Sequence, residues 1–275
     1  MKKTKRQMTY GLIFLIMLAL AVLFLLPFFW MLSNSLKGTK ELLMNPKNIL
    51  PETYTLAGYR KVLMESPFFT WFRNSLIVAG TNTAVIVFTS ALIGYVFSKF
   101  RFRGKEFLFM LLLATMMIPA QTLMIPNFLL MNALGLYNTL GAIMVPSFIN
   151  AFGIYLCRQF CDEIPSELIE SAKMDGAGDF KVFSKIVLPQ IKPAMGALAI
   201  FTFLEHWNEY LNPLIMLNNI EKMTLPLALS YFSTQHASDL SATMAAATLI
   251  MAPLTVVFLL FQKQFIKGIS MTGMK

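Results

Sequence analysis

The sequence predicts an all-α polytopic membrane protein with six transmembrane helices, and three observations carry that expectation. Of its 275 residues, 56% are hydrophobic and only 13% are charged, whereas soluble domains carry roughly 25% charged residues. The mean hydropathy of +0.62 is concentrated in apolar runs of about 20 residues, the length that crosses roughly 30 Å of hydrocarbon as a helix. The lysines and arginines behind the net charge of +9 gather beside those runs, as they do in cytoplasmic loops. That placement argues against a nucleic-acid partner, which the same charge would suggest in a soluble chain.

Each element follows in order. Lys2, Lys3, Lys5 and Arg6 precede an apolar run at 11–32. They imitate a signal peptide, but the run exceeds the usual apolar core and no small-residue cleavage site follows, so it reads as the first span with a cytoplasmic amino terminus. The connection at 33–70 contains Pro46, Pro51 and Pro67. It is too long for a hairpin and is expected to carry short surface helices. The second span, 71–97, ends at Lys99, Arg101, Arg103 and Lys105, a tight basic loop that belongs in the cytoplasm. A third span at 107–130 is interrupted by Pro119 and Pro126, and a fourth covers 140–160. The fifth is expected at 194–217 and the sixth at 241–262. Together they divide the chain into a first helix with its external loop (1–70), a core (71–265) and a cytoplasmic tail (266–275). This topology puts 16 of the 23 basic residues inside. Of the other seven, five lie in the first external loop, and Arg73 and Lys222 complete the set.

Between spans four and five lies the one long hydrophilic interval. Ser166 is expected to cap a short helix, with Glu167 and Glu170 in its first turn complementing the helix dipole. That helix runs to about Asp175. Gly176, Ala177 and Gly178 supply a turn, and Asp179 is expected to cap a second helix, with Phe180, Phe183, Ile186 and Val187 on one face until Pro189 stops it. Helices this short gain most of their stability by packing an apolar face. A partner protein at the membrane surface is the expected cover. A DNA-reading helix-turn-helix is a poor fit, because the second helix offers only Lys181 and Lys185 as basic contacts.

Within that interval Glu170-Ser171-Ala172, Gly176 three residues on, and Ile186-Val187-Leu188-Pro189 after nine more resemble the EAA signature of permease subunits in ATP-binding-cassette importers. Ser171 replaces the first alanine. Asn74-Ser75-Leu76, Ile118-Pro119 with Gln121, Trp207-Asn208-Glu209-Tyr210 and Phe265-Ile266-Lys267-Gly268 are similar to the carbohydrate-uptake branch, the smaller permease of the maltose-transporter type. The resemblance implies that 162–192 is a coupling loop docked on a cytosolic ATPase through Glu170, Ser171, Ala172, Asp175, Gly176, Ile186, Leu188 and Pro189. Glu170 would be the charged anchor and Gly176 the turn. It further implies a bacterial inner membrane location and a complex with a second permease, two ATPase subunits and an extracytoplasmic binding protein that delivers a sugar-like solute. The chain has no G-x-x-x-x-G-K-[ST] stretch to cradle phosphates, so ATP hydrolysis is expected on the partner. No cofactor, metal or catalytic residue is expected in this chain.

Polar residues inside the spans are costly and face a cavity, a partner or water. Glu205, His206, Asn208, Glu209 and Asn212 cluster on the fifth span, where Glu205 and Glu209 are expected on one helix face, about 18 Å along the axis from Pro193. They fit a path-lining role, packing against the partner permease, or a proton relay. Gln121 and Asn127 on the third span fit a translocation path or helix–helix hydrogen bonding. Cys157 and Cys161 share a helix face and read as small packing residues, since two ligands cannot close a tetrahedral zinc site. Ala242, Ala245, Ala246 and Ala247 would let the sixth helix approach a neighbour closely. The competing class is an ion-coupled secondary transporter, for which no inverted repeat is evident. An intramembrane enzyme would show motifs such as H-E-x-x-H or G-x-S-x-G, and neither occurs.

Overall fold

The computed structural model describes residues 2–235 and 239–272, and all regular structure in it is helical. The helices are α1 (Lys2–Asn34), α2 (Thr39–Met44), α3 (Ala57–Glu65), α4 (Phe68–Lys99), α5 (Lys105–Thr115), α6 (Met124–Ala133), α7 (Leu140–Met144), α8 (Ala151–Asp162), α9 (Ser166–Met174), α10 (Asp179–Val182), α11 (Leu188–Gln190), α12 (Lys192–Asn208), α13 (Leu211–Met216), α14 (Leu225–Gln235) and α15 (Leu240–Thr272). Among the described residues three helical stretches are long and apolar enough to cross a membrane, or up to five if two bent pairs each count as a span. The chain forms two compact units, Met1–Phe68 with Leu229–Pro253 and Phe69–Ala228 with Leu254–Lys275.

In the first unit α1 is exposed along residues 9–30. The connection after it does carry short helices, α2 and α3, and polar groups organise it. The Lys37 side chain is fully buried, donating to Asn34 Oδ1 at 2.8 Å and to the Asn48 carbonyl, while the Ser33 hydroxyl donates to the Ile49 carbonyl. Burying an ammonium without such acceptors would be prohibitive. Gly58 lies so close to the start of α15 that a Cβ there would sit 2.6 Å from the Ser241 carbonyl oxygen. Asp239 caps α15, accepting the Ala242 N–H at 3.1 Å, and also takes Thr39 Oγ1 at 2.9 Å and Lys61 Nζ at 2.6 Å. Burial alone would raise the Asp239 carboxyl, but the bonds from Lys61, Ala242 and Thr39 outweigh it and hold the group below the usual value. The same Asp239 hydrogen bond holds the Lys61 ammonium above its usual value. Two of the five basic residues in this loop, Lys37 and Lys61, are therefore engaged by internal acceptors.

In the second unit α4 crosses α8 at glycines. A Cβ on Gly94 would come within 2.8 Å of the Cys157 Cβ, and one on Gly153 would collide with the Ser90 hydroxyl. Cys157 and Cys161 are free and buried in this contact region. One end of the unit is closed by Ser98 Oγ donating to Asp162 Oδ1 at 2.6 Å and by Lys99 Nζ donating to the Ile164 carbonyl. At the other end Trp71 Nε1 donates to the Ile220 carbonyl at 2.6 Å, and Asn74 Nδ2 to the Glu221 and Met223 carbonyls. Asn138, left-handed at φ 58°, accepts the Asn218 and Asn219 N–H groups at 3.0 and 3.1 Å.

Three expected spans are not straight. The third breaks at Pro119, with a 93° bend between Lys105–Thr115 and Ala120–Ala133, because proline removes a helical donor and restricts the residue before it. The fourth passes through a tight turn at Val145–Ser147 that contains Pro146 before α8 begins. The fifth stops at Asn208 and restarts at Leu211, so 194–217 is two helices.

Candidate functional site

The hydrophilic interval forms a compact helical hairpin. Gly176 has φ +80°, its N–H reaches the Lys173 carbonyl at 3.0 Å, and the Ala177 N–H reaches the Ala172 carbonyl at 2.9 Å. This pair of bonds around a left-handed residue is a Schellman helix end. The spacing from Ala172 to Gly176 is thus the spacing of a helix terminator, and an L-residue at 176 would strain the turn. Lys173 Nζ meets Asp179 Oδ1 at 2.8 Å across the turn. That hydrogen bond raises the Lys173 ammonium above its usual value.

Local expectations are corrected here. Ser166 and Asp179 are the first helical residues, with Pro165 and Gly178 in the capping positions. Proline suits that place poorly as a cap, and Gly178 is free to be extended; Asp179 is engaged by Lys173 instead. The helical run that begins at Asp179 ends at Gln190, one residue past Pro189, and turns by 77° into α12. A wider π turn at Phe183–Val187 directly precedes Leu188–Gln190, where Pro189 lacks the N–H that would continue the run. The wider turn also redistributes the expected apolar stripe. Val182, Phe183 and Val187 are buried against Tyr95, Cys161 and Ile169, with Ile186 packed at the edge. Phe180 is 74% exposed. The chain therefore covers most of this stripe itself, using the ends of α4 and α8 as the soluble mass that composition did not reveal.

Of the eight residues expected to dock, Ala172, Ile186 and Leu188 pack on the core. Glu170, Ser171, Asp175, Gly176 and Pro189 are exposed. Met174, 88% exposed, and Phe180 complete this surface. Neither was singled out as a surface residue, although a methionine beside Asp175 and a phenylalanine beside Asp179 at a turn are visible in the sequence.

The polar residues of the spans do not form the expected row. Glu205 is exposed near the end of α12, while Glu209 lies beyond it in extended backbone, φ −63° and ψ 125°. Its Oε1 accepts the Leu211 and Asn212 N–H groups at 3.1 and 3.2 Å. Glu209 thus caps α13, and a shared helix face with Glu205 is ruled out by the break. Asn208 Nδ2 donates to the Leu204 carbonyl at 2.8 Å, within its own helix. Gln121 is exposed on the turn Ala120–Leu123, and Asn127 is half-buried in α6. Sequence reasoning passed over Asn82. It is fully buried on α4, and its side-chain amide lies 3.1 Å from His206 Nδ1. An asparagine within the run at 77–88 is the signal that points to it.

The chain matches the family model of the binding-protein-dependent transport system inner membrane component over residues 86–271. It is 34% identical to the arabinooligosaccharides transport system permease protein AraQ of Bacillus subtilis, covering 95% of this chain and 94% of the relative. The lactose transport system permease protein LacG of Rhizobium radiobacter is 32% identical, with 90% of each chain covered. A chain of a bacterial ABC transporter involved in alginate import has TM-score 0.82 and 25% identity, over 94% of this chain and 98% of that one.

Proposed function

This chain belongs to the inner membrane components of binding-protein-dependent transport systems, and from that premise we propose that it is the permease subunit through which an oligosaccharide-like solute enters the cell. It crosses the membrane six times with both termini in the cytoplasm. A second permease, two cytosolic ATPase subunits and an extracytoplasmic binding protein complete the transporter. The relatives named for arabinooligosaccharides, lactose and alginate support the solute class. ATP is hydrolysed on the cytosolic subunits, and this chain carries the resulting movement to the solute path. Glu205, Asn208, Asn212, Gln121 and Asn127 are proposed to border that path, with Glu209 holding the break that shapes it.

The observation that carries the proposal is the hairpin at 162–192. Its self-packed interior presents Glu170, Asp175, Met174 and Phe180 outward around a fixed glycine turn. A rigid, charged and apolar protrusion transmits force between subunits, whereas a loose loop would absorb it. Glu170 is the acidic anchor for a basic group on the ATPase, and the family's glycine sets the angle of α9 against the π turn. Reversal at a partly desolvated interface costs several kcal/mol, against about 1 kcal/mol or less for an exposed pair. Glu170→Lys and Gly176→Leu are therefore expected to abolish solute uptake at normal membrane abundance, with the ATPase either released or hydrolysing without transport. Normal uptake and full co-purification of the ATPase with both variants would refute the docking assignment.

A further inference from the structure

We propose that the loop joining α4 to α5 is a binding site for the phosphate of an anionic phospholipid. The loop encloses a shallow cavity of about 380 Å³ lined by Arg101, Phe102, Gly104, Lys105, Glu106 and Phe107. Its positive charge is uncompensated. Lys99 and Lys105 donate to the backbone carbonyls of Ile164 and Ser98, and no described carboxylate pairs with Arg101, Arg103 or Lys105. The one acid in the lining, Glu106, is held 3.3 Å from the Arg158 guanidinium. No side chain caps the first turn of α5, because Gly104 occupies that position with φ +84°. The positive end of that helix dipole adds to the same field.

Charge alone fits any phosphate. The choice of lipid rests on what lies below the cavity, where Phe107, Met110 and Leu111 project from α5 with 66, 63 and 56% exposure. A basic pocket at the end of a span, continued by an exposed apolar stripe, matches an amphiphile with an anionic head. A free phosphate ion would leave the stripe unused. The apolar helix α4 ends at Lys99, so the loop stands at the end of a candidate span. Phe102 packs on Phe97 at 6.0 Å and braces the loop against that helix end.

The test uses the full chain purified within its transporter and equilibrated with equal amounts of phosphatidylglycerol and phosphatidylcholine, with retained lipid counted by native mass spectrometry. Phosphatidylglycerol is expected to be retained preferentially, and Arg101→Gln to lower that retention about fivefold. Arg101→Lys keeps the charge and is expected to restore most of it. Arg103→Gln removes the same charge outside the lining and is expected to change retention less than twofold. Equal losses in Arg101→Gln and Arg103→Gln would overturn the site in favour of diffuse attraction. Displacement of the lipid by inorganic phosphate would reassign the cavity to the free ion. Retention only when the partner subunits are stripped away would make it a subunit contact and equally end the proposal. Solute uptake by Arg101→Gln, read beside uptake by Glu170→Lys, separates this site from the docking hairpin.

Discussion

At the scale of single residues, Asp239 joins three roles in one carboxylate: it caps α15, receives Thr39 and pairs with Lys61. Its carboxyl is held below the ordinary 3.8, so its contribution is complete above that value and disappears as pH falls through the depressed one. Lys61 is held above 10.5, so its share is complete below that value and lost at higher pH. Cleavage of the 33–65 connection by a protease active in acid is therefore expected to accelerate below about pH 4, following the ordinary carboxylate range. Asn substitutes well as a cap but cannot form the ion pair. Asp239→Asn should thus be milder than Asp239→Ala, with about 1 kcal/mol between them in detergent thermal unfolding. Equal losses would show that the cap contributes nothing there.

At the scale of elements, the crossing of α4 and α8 depends on the absence of side chains at Gly94 and Gly153. Gly153→Ala drives a methyl into the Ser90 hydroxyl and is expected to destabilise by about 1–3 kcal/mol. Adding Ser90→Gly should return part of that loss, and a double-mutant cycle by thermal unfolding measures the coupling. No coupling would mean that the helices separate on substitution. The contrast with the sequence is instructive at this scale. Apolar runs, Pro119 and the Glu170-to-Pro189 spacing were legible because they depend on composition and local chain geometry. The π turn was not, because Phe183 and Val187 reach the core only when Tyr95 and Ile169 are already in place. The same applies to Glu209. Its position inside an apolar run gives no sign that Leu211 and Asn212 will need a capping oxygen. Asn82 and His206 are 124 residues apart, a pairing that periodicity cannot reveal.

At the scale of the whole molecule, two sets of loops gather at opposite ends of α4. Ser98 and Lys99 bind 162–164, and Trp71 and Asn74 bind 220–223. Reporter fusions at Arg103, Lys181 and Lys275 are therefore expected to report the cytoplasm, and fusions at Asn48 and Asn138 the outside. A cytoplasmic signal at Asn48 would overturn the six-span topology. Expressed without partners, the chain should show no ATPase activity, whereas the complete transporter should hydrolyse ATP in response to loaded binding protein. Hydrolysis by the single purified chain would contradict the division of labour. The exposed stretch of α1 has a further consequence for biogenesis. A helix this apolar and exposed along residues 9–30 can enter the bilayer as an autonomous unit before the rest of the chain is synthesised. Its orientation is then decided at the translocon by Lys2, Lys3, Lys5 and Arg6, before Asn34 and Lys37 have met. A released fragment ending soon after Asn48 should accordingly be threaded in the same direction as the finished protein.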